Sequence, residues 1–323
     1  MKAVVYTQYG PPEVLQLKEV AQPIPNKNEV LVRVHATTVN RTDCAILSAK
    51  PFIMRFFIGL FTPKKSIMGT TFAGEIEAVG KDVTSFSVGD RVFGFNDGVL
   101  SSYAEYMVIA EDNYFVTIPD DISYEHAAAS IEGEHYAYNF INKAAIKEGD
   151  IILVNGASGA IGAGMVQLLQ VMKVDITAVT NTKNMALATS LGANRVIDYT
   201  KEDFTKENQQ YDYIFDTVGK NSFGKCKPIL KPKGIYISSE LGPWSQNIFY
   251  SLFTPMFGGK KVKFPLPIDI NDSLQVVKNL MEAGEHKAVI DRKYPLEEIA
   301  AAFRYVATGE KTGNVVITLQ VQQ

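Results

Sequence analysis

At 323 residues the chain is longer than one typical domain, and its length predicts about two. Hydrophobic residues make up 46% and charged residues 21%, a globular balance that excludes disordered, collagen-like and low-complexity classes. The 32 Lys and Arg against 35 Asp and Glu leave a net charge of −3, so no broad basic field favours nucleic acid.

The first residues, Met1 to Tyr6, run into a Gly10-Pro11-Pro12 turn without an apolar leader, so no targeting segment is expected. Val30 to Ala36 alternates and is rich in β-branched residues, while Gly89-Asp90 and Asp97-Gly98 are turn dipeptides. Short strands between such turns predict a compact barrel or sandwich. The most apolar run, Pro51 to Pro63, is shorter than the roughly 20 residues that span a bilayer and is interrupted by Arg55, so no integral membrane segment is expected. Cys44 and Cys226 are the only cysteines. Two cannot build a disulfide framework or a Cys-rich zinc site, which points to a reducing, cytoplasmic compartment.

Near Ser123 the texture turns helical, with Ser123 as N-cap of an alanine-rich stretch. From Gly149 the pattern becomes strand, glycine turn, helix, strand. Ile151 to Val154 is a continuous apolar run, followed by the glycine turn and by a helix carrying Val166, Leu168, Leu169 and Met172. Strands at Asp175 to Thr180, Arg195 to Ile197, Tyr213 to Phe215 and Ile235 to Ile237 alternate with helical patterns, which predicts a doubly wound parallel sheet of the Rossmann type. Beyond Lys260, helices around Ser273 to Ala283 and Leu296 to Ala307 precede a closing strand, Gly313 to Leu319.

The turn reads Gly156-Ala157-Ser158-Gly159-Ala160-Ile161-Gly162, with Ser158 in place of the second glycine of the common fingerprint. Glycine there lets backbone approach a pyrophosphate, and the following helix offers N–H groups and a positive dipole. All seven residues are candidate cofactor contacts. An NAD site carries an acid at the end of the second strand, whereas this chain has Thr180-Asn181-Thr182-Lys183. Hydroxyls, an amide and a cation suit a 2′-phosphate, so Thr180, Asn181 and Lys183 point to NADPH. The other reading of Lys183 is a solvated surface lysine.

Met1 to Val5 with Gly10, Val39-Asn40-Arg41-Thr42-Asp43, Gly69 to Gly80, Val88 to Val92, the glycine turn, Gly192-Ala193 before Val196 to Tyr199, Phe215 to Gly219, Ala288 to Asp291 and Gly313 to Ile317 occur in this order over nearly the whole chain. In them the chain resembles the medium-chain dehydrogenase/reductase superfamily, in its zinc-independent quinone oxidoreductase branch. The resemblance implies an α/β fold: a GroES-like β-barrel catalytic domain formed by 1–122 and 261–323, and a Rossmann domain, 123–260, inserted between them. It also implies an active site in the cleft and a homodimer paired through the Rossmann sheet edge. Asn40 and Thr70 stand where zinc-dependent relatives carry their Cys and His ligands, so no metal is expected. Asn40 would line the nicotinamide site and Asp43 would orient the loops on the substrate side; alternatively both satisfy local turns. Asn314, in the C-terminal signature, is a further implied cofactor contact.

Gly133-Glu134-His135-Tyr136-Ala137 stands where the family has a Gly-Leu-Thr-Ala type pattern, with His135 replacing the threonine. His135 is either a proton donor after hydride transfer or a hydrogen-bond partner of the carboxamide or of a backbone carbonyl. His35, His126 and His286 carry no comparable context. The aromatics are bunched at Phe52 to Phe61 and at Trp244 to Phe257. Phe52, Phe56, Trp244 and Phe253 are candidates for an apolar lid over a small apolar substrate; the bland readings are core, dimer contact or membrane-surface contact. The resemblance and the missing Lewis acid together imply an NADPH-dependent, zinc-free oxidoreductase passing hydride to quinones or α,β-unsaturated carbonyl compounds. The alternative is a non-catalytic NADPH-binding protein of the same fold, serving redox sensing or interaction, for which Glu134-His135 is the best support.

Overall fold

Extended, half-buried segments dominate the start of the chain: β1 (Lys2–Val5), β2 (Gln16–Glu19) and β3 (Glu29–Val39), then helices α1 (Arg41–Ser48) and α2 (Arg55–Ile58). Strands β4 (Thr71–Val79), β5 (Arg91–Phe95), β6 (Tyr106–Ala110) and β7 (Phe115–Thr117) follow, then α3 (Tyr124–Ala129) and α4 (Glu132–Asn142). Next come β8 (Ile151–Asn155), α5 (Ala160–Gln170), β9 (Asp175–Thr180), α6 (Met185–Ser190), β10 (Arg195–Asp198), β11 (Tyr211–Asp216), α7 (Phe223–Cys226) and β12 (Leu230–Ser238). The chain closes with α8 (Gln246–Phe253), β13 (Lys261–Lys263), α9 (Ile270–Glu282), β14 (Ile290–Pro295), α10 (Ile299–Thr308) and β15 (Asn314–Thr318). The computed structural model describes residues 1–96 and 100–319, so the predicted Asp97-Gly98 turn lies outside the described residues.

The chain divides into two units, Met1–Ile131 with Ile270–Gln323, and Glu132–Asp269. The first is built on a seven-stranded sheet in the order β14-β15-β3-β4-β5-β7, with β6 also paired to β3. Its long strand β3 runs antiparallel to β4, β6 and β15, and register shifts near Val32 and Val34 let it serve several partners. Val32, Phe72, Ile76, Met107, Phe303 and Val315 meet in one core, and α10 adds Ile299, Ala302 and Val306. A second core joins Ala36, Phe93 and Phe95 to Ala127, Ala128 and Ala129 of α3 and to Ile270, Leu274, Val277 and Met281 of α9, a stripe at helical spacing.

The second unit holds a six-stranded parallel sheet in the order β10-β9-β8-β11-β12-β13. Its strands are apolar along their length because helices cover both faces. Leu153, Val179, Ile197, Ile214, Tyr236 and Val262 form its core. The seams expected at 122/123 and 260/261 therefore move. The alanines of α3 bury against the first unit's sheet, and β13 is the sixth strand of the parallel sheet, hydrogen-bonded to β12. Neither partner can be read from local pattern.

Strand order reverses beside β8, so the crevice at the C-terminal ends of β8 and β11 is the topological switch point of the sheet. Asp216, 1% exposed, ends β11 there. Its Oδ1 accepts from Asn155 Nδ2 (2.9 Å), Val218 N (3.3 Å) and Gly219 N (3.0 Å), and its Oδ2 from Asn221 N (3.2 Å) and the Tyr236 hydroxyl (2.9 Å). One carboxylate thus ties β8, β11, β12 and the loop after β11. Burial of a charge is tolerated only with such a donor set. Asp216→Asn places an N–H against these donors and is expected to lower the unfolding free energy by about 3 kcal/mol in urea titrations.

Candidate functional site

The glycine turn leaves β8 with Gly156 at φ +87, a left-handed conformation in which a Cβ would lie 1.9 Å from Val218 Cγ2. Gly156 N and Ala157 N both donate to Val179 O, fastening the turn to β9. At Gly162 a Cβ would lie 2.1 Å from Gly156 O, so α5 packs directly on the turn. Gly159 is different: a Cβ there would meet nothing closer than Gly156 O at 3.5 Å. Internal packing does not require glycine at this position. Gly159 is also the N-cap of α5 and provides no side-chain cap, which leaves the helix start, Ala160 and Ile161, for an external anion. Thr180 Oγ1 donates to Ser158 Oγ (2.8 Å), fixing the turn against the end of β9. These residues fit a dinucleotide pyrophosphate.

At the end of β9, Asn181 Oδ1 is buried without a hydrogen-bond partner among the described residues. Lys183 is exposed, and its ammonium makes no ion pair or hydrogen bond to another described residue. Sequence reading finds no acid here, yet the β9–β10 register puts Asp198 beside Thr180. Its oxygens already accept from Thr182 Oγ1 (2.5 Å) and from Thr200 N and Oγ1 (3.0 and 2.7 Å), with Lys201 3.5 Å away. The Thr182 and Thr200 hydrogen bonds, aided by Lys201, bring its pKa down to about 2. The acid visible in Val196-Ile197-Asp198 was the signal, but only strand pairing reveals its neighbour.

In the first unit, Asn40 caps α1. Its Oδ1 accepts from Asp43 N (2.9 Å), and Asp43 Oδ2 accepts from Asn40 N (3.0 Å), a reciprocal capping box. Asn40 Nδ2 donates to Thr70 Oγ1 (3.2 Å), which in turn donates to Asp43 Oδ1 (3.4 Å). All three side chains are buried, and Asp43 is fully so. Asp43 therefore stands behind Asn40 and holds its amide in place.

His135 lies on α4 and is 1% exposed. Its Nε2 is 3.1 Å from Pro267 O, and a carbonyl only accepts, so Nε2 carries the proton. Its Nδ1 then accepts from Asn139 Nδ2 (3.3 Å). Asn139 also donates to His135 O (2.9 Å) and accepts from Asp269 N (3.1 Å), fastening α4 to the segment that leaves β13. Burial lowers the imidazole pKa to about 4, against the opposing pull of the Pro267 carbonyl and the Asp269 charge. At neutral pH His135 is thus uncharged, with its single N–H engaged by a backbone carbonyl. Asn139 escaped sequence reading, although its i,i+4 spacing from His135 is a usable signal.

Asn314 opens β15, and both its backbone N and its Nδ2 donate to Val289 O (2.8 and 3.3 Å). Phe52 and Phe56 meet edge to face at 6.1 Å, and Trp244 and Phe253 project from the second unit. All four are exposed, Trp244 at 96%, so these rings are not core, while Met54 and Ile58 of the first stretch pack against the first unit's core.

A family profile described as the alcohol dehydrogenase GroES-like domain matches residues 26–120, and one described as zinc-binding dehydrogenase matches 191–317. The chain is 30% identical to the 2-methylene-furan-3-one reductase of Solanum lycopersicum, over 98% of its own length and 79% of that protein. It is 29% identical to a quinone oxidoreductase of Pseudomonas aeruginosa, over 98% of this chain and 99% of that one. Among solved structures, the quinone oxidoreductase from Coxiella burnetii matches with a TM-score of 0.86 at 25% identity, covering 99% of each chain. The zinc of the second description does not fit the donors present. Asn40, Thr70 and Asp43 are spent on the α1 cap, and no three His, Cys, Asp or Glu side chains among the described residues are grouped to hold a metal.

Two outcomes test this geometry. In Gly159→Ser the hydroxyl caps α5, so thermal stability of the protein alone holds or rises while calorimetric dinucleotide affinity falls by about tenfold or more. For His135, an unfolded imidazole titrates near 6.5 and the buried one near 4. Native stability is therefore full above 6.5 and declines as pH falls towards 4. In urea titrations His135→Gln removes roughly 3 kcal/mol of this acid-side loss.

Proposed function

The chain belongs to the medium-chain dehydrogenase/reductase superfamily, and from that premise we propose that it is an NADPH-dependent, zinc-free reductase of quinones or α,β-unsaturated carbonyl compounds. The observation that carries this reading is the turn at Gly159 joined to the Thr180-Asn181-Thr182-Lys183 corner: a phosphate cradle beside a lysine with no protein partner among the described residues. When bound, the nicotinamide cofactor supplies the hydride. The helix start of α5 holds the pyrophosphate, and Lys183 with Asn181 faces the 2′-phosphate. Asp198 accepts from the two threonines, so its oxygens are not free to take a ribose 2′-hydroxyl as the acid of an NAD site does.

Unit Glu132–Asp269 is the dinucleotide-binding domain in this reading, and the other unit is the catalytic domain. Asn40 presents its amide at a position set by Asp43 and Thr70. One of its two N–H groups bonds Thr70, and the second is the donor for the oxygen on which negative charge develops in the acceptor. Asp43 is a positioning residue, and Asn314 braces the cofactor side of its strand. With His135 neutral and engaged, the acceptor's proton comes from solvent. The position of β13 as terminal strand of the parallel sheet supports a homodimer, and the two cysteines support a cytoplasmic setting.

The test is NADPH oxidation against a panel of quinones and enones, with NADH as control. Turnover with NADPH is expected; binding without turnover overturns the catalytic reading. Lys183→Ala should raise KM for NADPH by roughly tenfold with little effect on NADH. Equal effects on the two cofactors would remove the 2′-phosphate assignment.

A further inference from the structure

We propose that each of two aromatic stretches, one in each unit, is a contact for the surface of an anionic phospholipid bilayer, without spanning it. The first stretch, in the unit that begins the chain, is a turn at Phe52–Met54 followed by α2. It exposes Phe52, Phe56, Phe57 and Phe61, the last at 82%. The second, in the Glu132–Asp269 unit, presents Trp244, Phe249, Leu252, Met256 and Phe257 from α8 and its flanking turns. Two hydroxyls of this stretch are spent on their own helix: Ser251 Oγ donates to Ile248 O and Thr254 Oγ1 to Tyr250 O. What faces outward is apolar. Trp244 is carried at φ 55 and Ser245 at φ 57, consecutive left-handed residues that hold the indole away from the body.

Charge decides what covers these surfaces. Residues 44–74 contain Lys50, Arg55, Lys64 and Lys65 and no acid, and residues 241–268 contain Lys260, Lys261 and Lys263 and no acid. The whole chain is nevertheless net −3, so its acids lie outside both stretches. A second copy pairing the same patches would set cation against cation, whereas an anionic lipid surface is complementary to both. Aromatic rings buried at headgroup depth beside fixed positive charge is the chemistry of an interfacial anchor; at the second patch Lys260 and Lys263 are held in place by Lys227 O and Lys143 O. No helix among the described residues is long and apolar enough to cross a membrane, so the contact stays peripheral. A lipid surface also concentrates apolar quinones, but the binding itself stands apart from the reductase reading and is tested without substrate.

Trp244 is the chain's single tryptophan, so its emission reports directly on the second patch. The full chain is mixed with phosphatidylcholine vesicles containing roughly 30 mol % phosphatidylserine, the range of an anionic leaflet. The emission should move to the blue and be quenched by lipids brominated on the acyl chain. Vesicles of phosphatidylcholine alone should bind about tenfold more weakly, as should the anionic vesicles in high salt. In co-sedimentation, Phe57→Ser with Phe61→Ser, and separately Phe249→Ser with Phe257→Ser, should each lower vesicle affinity by about tenfold at unchanged thermal stability. Unchanged Trp244 emission with anionic vesicles overturns the proposal, as does wild-type vesicle binding by both double variants. A blue shift that follows protein concentration and particle mass without lipid also overturns it, assigning the surface to self-association.

Discussion

The five hydrogen bonds converging on Asp216 are the constraint from which the dinucleotide site follows. They pull the loop after β11 over the end of β8, and that loop brings Val218 against Gly156. Gly156 must then be glycine, its carbonyl becomes the floor on which Gly162 packs, and the start of α5 is placed. A carboxylate in this position is costly to bury, and the ring of donors offsets the cost while making the loop geometry unique. The cradle is thus held by strand ends rather than by the turn's own residues.

A smaller polar knot plays the same part in the other unit. Asn40, Asp43 and Thr70 satisfy one another across the start of α1. All three side chains are thereby consumed in one helix cap. His135 follows a related logic. Its burial against Pro267 and Asn139 depresses its pKa and engages its only proton, so an ionisable residue becomes a neutral strut between α4 and the segment beyond β13.

Much of this was legible in order along the chain. The buried strand runs, the Ser123 cap, whose hydroxyl accepts from His126 N, and the glycine turn all depend on residues within a few positions of one another. Local sterics and hydrogen bonding specify such features directly. The unit seams were not legible, because the affiliation of α3 and β13 depends on which distant sheet buries them. Asp198 was visible as an acid but not as a neighbour of Thr180, since parallel pairing joins residues far apart in sequence.

The sequence by itself determined the family, the order of elements and the dinucleotide turn. Each rests on short-range pattern, where residue type dictates backbone conformation or chemistry. Only the tertiary structure decided that Asp43 is a brace, that His135 is neutral and engaged, and that the rings of Phe52, Phe56, Trp244 and Phe253 lie outside the core. Those outcomes depend on burial and on partners supplied by other elements: Thr70 for Asn40, Pro267 for His135, and solvent for Trp244. Protonation and exposure are properties of the packed environment, which no local window of residues contains.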